Sequence, residues 1–405
     1  MRAIGSALFA ALLCAAAPAR ADDLSWQGFI DARLIAPPDE QSWLKGGLGK
    51  LRYGSEDGGV DVRFAEAIGA ASWRATPDLT FATTLRIEPN QRSGVDALDA
   101  YARYHPQSEG AWQWSIKAGA FFPPVSLENN DVGWASPYTL TPSAIDSWIG
   151  DELRTIGVET DVARHTAFGT FTLLGAIFTR NDPAGVLIAE RGWTLDDRPT
   201  GLFETLHEPN ASLALLNRDY PDRVPLFLEI DGRPGWYGGG AWELPGFGHA
   251  QFLYYDNDAD PAAHESDYPA WHTRFWSEGF RTNVGDATFL VQNLAGSTTV
   301  QFQPAVRPWT TEFWSTYALA SYDLDDWRFS VRGDLFGTGQ DVAFWQPFGE
   351  HGHAVTTAIS WMPRDWLRLT AEFIALDAQR LERETEGLSK DEVDDQFQLN
   401  VRVSF

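Results

Sequence analysis

The last ten residues of the chain, QFQLNVRVSF at positions 396–405, alternate strictly between polar and apolar side chains. The apolar set is Phe397, Leu399, Val401, Val403 and Phe405, and the polar set is Gln396, Gln398, Asn400, Arg402 and Ser404. Successive side chains of a β-strand point to opposite sides, so the pattern predicts a strand whose two faces meet different surroundings. The last strand of a soluble sheet would satisfy it, and the rest of the chain decides whether that is the right interpretation.

The N-terminus has the features of a cleaved secretory signal. Residues 1–21 begin with the basic Arg2, continue through an apolar run and end in the small-x-small motif Ala19-Arg20-Ala21. We therefore predict export across the inner membrane and one mature domain, 22–405. The only cysteine of the chain, Cys14, lies inside the predicted signal, so the mature protein is expected to have no disulfide and no lipid anchor.

The composition argues against nucleic acid as a partner and against helical membrane spans. The formal charge is −25, and removal of the two arginines of the signal makes it −27. A surface with this balance repels a phosphate backbone. Apolar residues make up 44% of the chain, with 18 Trp, 25 Phe and 11 Tyr. Even so, the mature sequence lacks the run of about 18 apolar residues that a transmembrane helix needs.

Alternating segments of about ten residues recur from Leu24 to the C-terminus, which is typical of transmembrane β-strands. Sixteen strands are predicted, with eighteen as the open alternative, at 24–36, 58–74, 79–90, 97–106, 112–122, 153–164, 166–180, 235–245, 248–258, 270–284, 287–298, 313–324, 327–338, 352–363, 366–379 and 394–405.

The connections between the predicted strands sort by length. Every second one is short and turn-like, at 76–78, 107–110, 244–246, 284–286, 324–326 and 362–365. The others are mostly long and acidic, at 37–57, 123–152, 181–234, 259–269, 299–312, 339–351 and 380–393. This asymmetry predicts an all-β fold, a closed antiparallel transmembrane barrel with short periplasmic turns and long extracellular loops.

Alternation also predicts which strand charges face an enclosed aqueous lumen. The basic candidates are Arg86, Arg103, Lys117, Arg274, Arg328, Arg332, Arg368 and Arg402, and the acidic candidates are Asp99, Glu159, Asp161, Glu278, Asp334 and Glu372. Opposite charges on facing walls would set a transverse field across a constriction and orient dipolar solutes. The alternative, which we favour for any single residue, is that these groups pair across neighbouring strands and hold the barrel in shape.

Two long connections are expected to fold over or into the barrel. The 123–152 connection is predicted to contain a helix at 142–149, capped by Thr141 and ended by Gly150. Folded inward, this loop would narrow the pore; a helix lying on the barrel rim is the equal alternative. The 181–234 connection is too long and too apolar for a structureless loop, which predicts a packed cap or an inward fold.

No cofactor, metal site or enzymatic activity is predicted. Asp256, Asp258 and Asp260 are spaced like the start of a calcium loop, but Pro261 stands where that loop needs its glycine. The chain has no Gly-x-Ser-x-Gly element and no other spaced catalytic triad. The acidic loops are expected to make only loose contacts with lipopolysaccharide through divalent cations.

At the level of families, the mature chain resembles Gram-negative outer-membrane porins. The stretches GAFFPPVSLE at 119–128 and RTIGV at 154–158 look like phosphate-selective-type porins, while residues 134–149 and 192–204 are closer to an uncharacterised porin-like family. A final strand that ends in Phe405 resembles the signal by which the barrel-assembly machinery recognises its substrates. The resemblance implies a barrel, passive transport and a homotrimer, without a defined solute.

The leading functional hypothesis is therefore an outer-membrane channel for passive diffusion of small hydrophilic solutes, with a pore narrowed by the 123–152 loop. One alternative is a receptor or adhesion barrel with an occluded lumen. A barrel-based outer-membrane hydrolase is the third and weakest hypothesis.

Overall fold

The structure is a computed structural model, and it describes residues 23–54, 59–209, 222–266, 268–302, 307–341 and 349–405. The predicted signal peptide lies outside these ranges. In chain order the strands of the described part are β1 Leu24–Ala36, β2 Asp61–Arg74, β3 Leu79–Ile87, β4 Asp96–Tyr104, β5 Trp112–Phe121, β6 Thr155–Thr166, β7 Gly169–Thr179, β8 Thr205–His207, β9 Arg223–Pro225, β10 Gly235–Leu244, β11 Gly248–Asp256, β12 His264–Glu265, β13 Tyr268–Pro269, β14 His272–Val284, β15 Ala287–Val300, β16 Trp309–Leu324, β17 Trp327–Asp341, β18 Gly349–Arg364, β19 Leu367–Arg380 and β20 Asp391–Ser404.

Sixteen of these strands close into one antiparallel barrel, which confirms the predicted fold class. The barrel order is β1–β7, β10, β11 and β14–β20, and each strand pairs with its neighbour in this order. Closure comes from β1 and β20, with register partners from Phe29 and Ser404 to Ala36 and Phe397. The remaining four strands form two small hairpins, β8 with β9 and β12 with β13. A closed barrel leaves no strand edge unpaired, as a membrane-spanning sheet requires.

The external loops are named L1 to L8, for residues 37–60, 88–95, 122–154, 180–234, 257–271, 301–308, 342–348 and 381–390. The predicted connections at 299–312 and 380–393 are shorter in the structure because the flanking strands run further: β16 has 16 residues and β20 has 14. L7 lies outside the described residues. Among those that are described, no helix is both long and apolar enough to cross a bilayer.

The C-terminal strand has the two faces that its sequence predicts. Phe397, Leu399, Val401 and Val403 are 40–45% exposed on the outside, whereas Gln398, Asn400 and Arg402 are only 1–5% exposed on the inside. Aromatic rings gather at the turn end of the outer face, where Trp26 lies 5.3 Å from Phe405 and Trp327 stacks on Trp361 at 5.8 Å. The outer face therefore suits lipid, with an aromatic belt at the periplasmic interface.

The inner face encloses a packed core instead of an empty tube. One hydrophobic cluster joins inner-wall residues of β5, β7, β10, β11 and β14–β19 to residues of L1, L3 and L4. Ile145 and Trp193, which belong to L3 and L4, are fully buried in it. The long loops thus fold into the barrel and fill much of its lumen.

Candidate functional site: the loop-filled lumen

L3 carries the helix Ala144–Glu152, which begins and ends later than the sequence predicts. Its N-cap is Ser143, whose hydroxyl accepts a hydrogen bond from the Asp146 N–H at 3.3 Å. The prediction of Thr141 as the cap is wrong, since Thr141 lies before the N-cap Ser143. The Thr141 N–H instead donates to the Glu372 carboxylate on β19 at 3.1 Å. The predicted stop, Gly150, is also wrong, since it lies within the helix. Every residue of the helix is buried, so the inward position is the correct one of the two alternatives.

The apolar side of the L3 helix packs on the wall formed by β14 and β16. The Trp148 ring lies 5.4 Å from Phe275 and 5.0 Å from Phe313, and it meets Trp193 of L4 edge-on at 5.9 Å. Trp193 in turn donates from its indole nitrogen to the Gly337 carbonyl at 3.1 Å. Buried aromatic pairs with these geometries stabilise packing beyond the area they bury. The wall of β14 and β16 beside the L3 helix is therefore lined by packed rings.

Arg332 on β17 fixes the start of the L3 helix. Its guanidinium donates to Glu128 Oε1 at 2.8 Å, to the Thr141 carbonyl at 2.8 Å and to the Pro142 carbonyl at 2.9 Å. Its Nε binds Asp334 at 2.7 Å. Because all of these groups are buried, each charge depends on its partners to offset its desolvation.

A second set of buried charges lies along the β1–β3 wall. Asp197 of L4 lies between two guanidinium groups, Arg52 Nη1 at 2.9 Å and Arg33 Nη2 at 2.5 Å. Burial opposes ionisation of this carboxyl, but Arg33 and Arg52 hold its pKa well below the usual range. The ionised Asp197 therefore connects L4 to Arg52 of L1 and to Arg33 of the β1 wall.

A second carboxylate of L4, Glu204, also forms buried ion pairs with arginines. It binds Arg86 of β3 at 2.8 Å and Arg198 of L4 at 2.5 Å, and Arg198 also lies 3.1 Å from Glu88 of L2. We call Arg33, Arg52, Arg86, Asp197, Arg198 and Glu204 the charged seam. It runs between the β1–β3 wall and the inward loops.

Twelve of the fourteen charged candidates lie on the inner face of the barrel: Arg86, Arg103, Lys117, Arg328, Arg332, Arg368, Arg402, Asp99, Glu159, Asp161, Asp334 and Glu372. Many form pairs on the wall, at 2.7 Å for Lys117 and Glu159, 3.6 Å for Arg103 and Asp161, 2.6 Å for Arg328 and Asp323, and 2.6 Å for Arg402 and Asp31. Glu372 instead accepts from L3 backbone N–H groups. Pairing, the alternative favoured from the sequence, describes most of them.

Arg274 and Glu278 were assigned inward from the sequence, and the structure places both on the outer face. They are exposed, while Phe275 and Ser277 between them are buried against the inward loops. In register, Glu278 lies opposite Asn293 of β15. The strand turns this way because the lumen beside β14 is filled by apolar loop residues, so the face that carries Phe275 packs inward.

Several charged residues of the lumen were not found from the sequence. Asp31 and Arg33 alternate with apolar residues in β1, and this period-two signal was sufficient to find them. Glu128, Asp197 and Arg198 lie in loops, where no periodicity indicates which way a side chain points.

Comparison with known proteins bears on the fold alone. No protein-family profile and no curated protein sequence matches the chain. Among solved structures, the anion-selective porin from Comamonas acidovorans is 11% identical, with a TM-score of 0.53 over 94% of this chain and 99% of that one. Salmonella typhi OmpF in complex with daunomycin is 11% identical, with a TM-score of 0.51 over 94% and 97%. In-vitro folded Vibrio cholerae OmpT in its trimer form is 10% identical, with a TM-score of 0.50 over 94% and 99%. The chain has the fold of the outer-membrane porins, a closed barrel of 16 strands.

Proposed function

We propose that the protein is an outer-membrane channel for small hydrophilic solutes and that the solute path follows the charged seam. The proposal is supported by the porin fold together with the uneven lumen. Hydrated solutes lose hydrogen bonds in an apolar passage, whereas guanidinium and carboxylate groups replace them. On the β1–β3 side such groups continue from Arg33 to Glu204 through the charged seam, whereas Arg332 and Asp334 on β17 are taken up by the start of the L3 helix. The role proposed is transport without catalysis.

L3 and L4 determine how far this path is open. L3 touches walls on opposite sides of the barrel. The Leu127 N–H donates to Gln292 of β15 at 3.2 Å, and Val132 packs on the apolar cluster that β1, β2 and β4 form with Phe29, Ile68 and Leu98. A loop that reaches across the lumen in this way narrows the passage strongly. Because L3 and L4 fill much of the lumen, conduction in this proposal requires L3 to move relative to the seam.

The same crossing loop is the observation that favours the second candidate, a receptor or adhesion barrel whose lumen stays occluded. The two candidates differ in conductance. Purified protein in a planar bilayer is expected to give stable ohmic steps if it is a channel. Complete electrical silence over repeated insertions would contradict the channel and leave the occluded barrel.

Cysteine labelling tests the position of the path. The only native cysteine lies in the predicted signal, so an introduced thiol is unique. Thr84 faces inward on β3, on the seam side, and Ser277 faces inward on β14, on the wall lined by packed rings; both are buried. A charged methanethiosulfonate reagent is expected to reduce the current of Thr84→Cys and to leave Ser277→Cys unchanged. The reverse result would show that solutes pass on the other side of L3.

We also propose that the barrel resides in the outer membrane as a trimer, supported by the trimer form of OmpT among the similar folds. Mass measurement of the detergent-solubilised protein by light scattering tests this, and a monomer mass would contradict it.

A further inference from the structure

A cavity of about 550 Å³ lies at the extracellular end of the charged seam. Four external loops build its walls: L1 through Trp43, L2 through Arg92, L4 through Arg198 and its hairpin β8–β9, and L5 through Tyr268. A volume of this size is typical of small-molecule sites. Its floor is Arg198, which belongs to the seam.

The cavity has more guanidinium groups than its ion pairs use. Arg198 is held by Glu204 and Glu88, whereas Arg92 and Arg223 form no salt bridge with another residue of the described part. Arg223 instead donates to the Thr205 carbonyl at 3.4 Å. Of the two carboxylates that line the cavity, Glu204 pairs with Arg198, and only Asp222 remains beside these two arginines. Two guanidinium groups opposed by one carboxylate are therefore left to bind an anion from solution.

The imidazole of His207 lies beside the positive charge of Arg223. Its Nε2 is hydrogen-bonded to Arg223, and burial together with the Arg223 charge lowers the pKa of the imidazole. Arg198 acts in the same direction, and the Asp222 carboxylate opposes the lowering. An anion placed beside Arg223 would reverse this effect, so its binding is coupled to uptake of a proton by His207.

The lining also includes apolar side chains. Trp43 is 2% exposed and Leu206 is 4% exposed, and both line the cavity. Arg191 stacks on the Trp43 ring, 4.2 Å from its centroid, and fixes its orientation. A ligand that contacts both the arginines and these apolar side chains needs an anionic group at one end and an apolar body at the other.

We infer that this cavity is a binding site for small organic carboxylates with an apolar or aromatic body, which it captures at the entrance of the seam. The carboxylate binds Arg223 and Arg92, and the body lies on Trp43 and Leu206. The inference rests on the channel function proposed above, since it gives the class of solute that the seam receives. It also accounts for a cation-rich entrance on a chain whose formal charge is −25.

Isothermal titration of the full-length protein in detergent micelles tests the site without a bilayer. Benzoate is the probe, and benzamide is its neutral control of similar shape. Benzoate is expected to bind at least tenfold more tightly than benzamide, because only the anion forms charge-assisted hydrogen bonds with arginine. The binding heat is expected to vary with the ionisation enthalpy of the buffer, which measures proton uptake.

Two arginine variants separate the cavity from general surface charge. Arg223→Gln is expected to weaken benzoate binding about tenfold or more. Arg233→Gln is the matched control, because Arg233 is half exposed, pairs with Asp260 at 3.0 Å and does not line the cavity. If Arg223→Gln does not fold, judged by heat-dependent gel mobility, Arg92→Gln on the exposed loop L2 replaces it, with the same weakening expected.

The outcomes distinguish this inference from the channel proposal. Equal binding of benzoate and benzamide, or unchanged binding by the arginine variants, would overturn the carboxylate site even if the protein conducts. Selective benzoate binding by a protein that never conducts would support the site and overturn the channel, leaving a receptor for carboxylates.

Discussion

Arg332 is the residue whose replacement should most directly release L3. It is buried on β17 and binds Glu128 and two carbonyls of L3, as well as Asp334 on its own strand. We expect Arg332→Met to keep the apolar contacts of the side-chain stem and to remove every one of these hydrogen bonds. The barrel strands themselves are unchanged, since the substitution alters only an inward side chain.

The magnitude follows from the two carboxylates that lose their counter-charge. Breaking a buried ion pair by removal of one partner costs about 3–5 kcal/mol, because the remaining charge stays desolvated. Glu128 and Asp334 can avoid that cost only if L3 leaves the wall and admits water. The ratio of displaced to packed L3 is therefore expected to rise by about 10² to 4 × 10³, since each 1.4 kcal/mol is a factor of about ten.

Single-channel recording measures this shift as a higher open probability or a larger unit conductance. Arg103→Met is the control: Arg103 is also an inward cation, but it contacts only wall residues, Ser115 at 3.1 Å and Asp161 at 3.6 Å. In the double variant Arg332→Met with Glu128→Gln, the Glu128 carboxylate that lost its counter-charge is also removed. Its open probability or unit conductance should therefore lie between that of Arg332→Met and that of the wild type. If Arg332→Met conducts like the wild type and like Arg103→Met, L3 is not what limits the pore.

Three further expectations concern the outer face, pH and the apolar side of L3. Glu278→Leu should raise the free energy of unfolding from lipid vesicles by about 1–2 kcal/mol, because an acid facing hydrocarbon is unfavourable; destabilisation would indicate a protein partner at that face. Burial raises the pKa of Asp151 in the L3 helix from 3.8 to about 6. A carboxyl with a raised pKa binds more protons in the packed state, so packing should weaken as the pH rises from about 4 to about 6. Hydrogen exchange of residues 144–152, corrected for the intrinsic rate, should be faster at pH 7 than at pH 4, and equal protection would contradict this. Trp148→Ala should cost about 3–5 kcal/mol of loop packing and expose L3 to protease while the barrel stays folded; unchanged proteolysis would show that Trp148 does not hold the loop.

The barrel could be predicted because its signal is local. From Phe397 to Val403 in β20 every second residue is apolar, because this outer face meets the same surroundings over that length. Chain closure needs no further information, since an even number of paired strands with short turns on one side has few other arrangements. The bounds of β1 were predicted without error, and those of most other strands to within a few residues.

The same rule failed for β14, and the reason is the filled lumen. Its sequence HTRFWSEGF has aromatic and polar residues on both faces. When the inside of a barrel is water, polar residues mark the inner face; when loops bring Trp148 and Trp193 inside, an inner face such as that of Phe275 becomes apolar. Arg274 and Glu278 were misassigned because the sequence of a strand does not say which loop will lie against it.

The sequence by itself determined a two-faced strand repeated into a closed barrel, because side-chain alternation depends only on neighbours along the chain. Only the tertiary structure decided that L3 and L4 enter the lumen, that the Trp148 ring packs on the wall of β14 and β16, and that Asp197 meets Arg33 and Arg52. These contacts join residues far apart in the chain, and their energies depend on burial and on partners that no local pattern specifies.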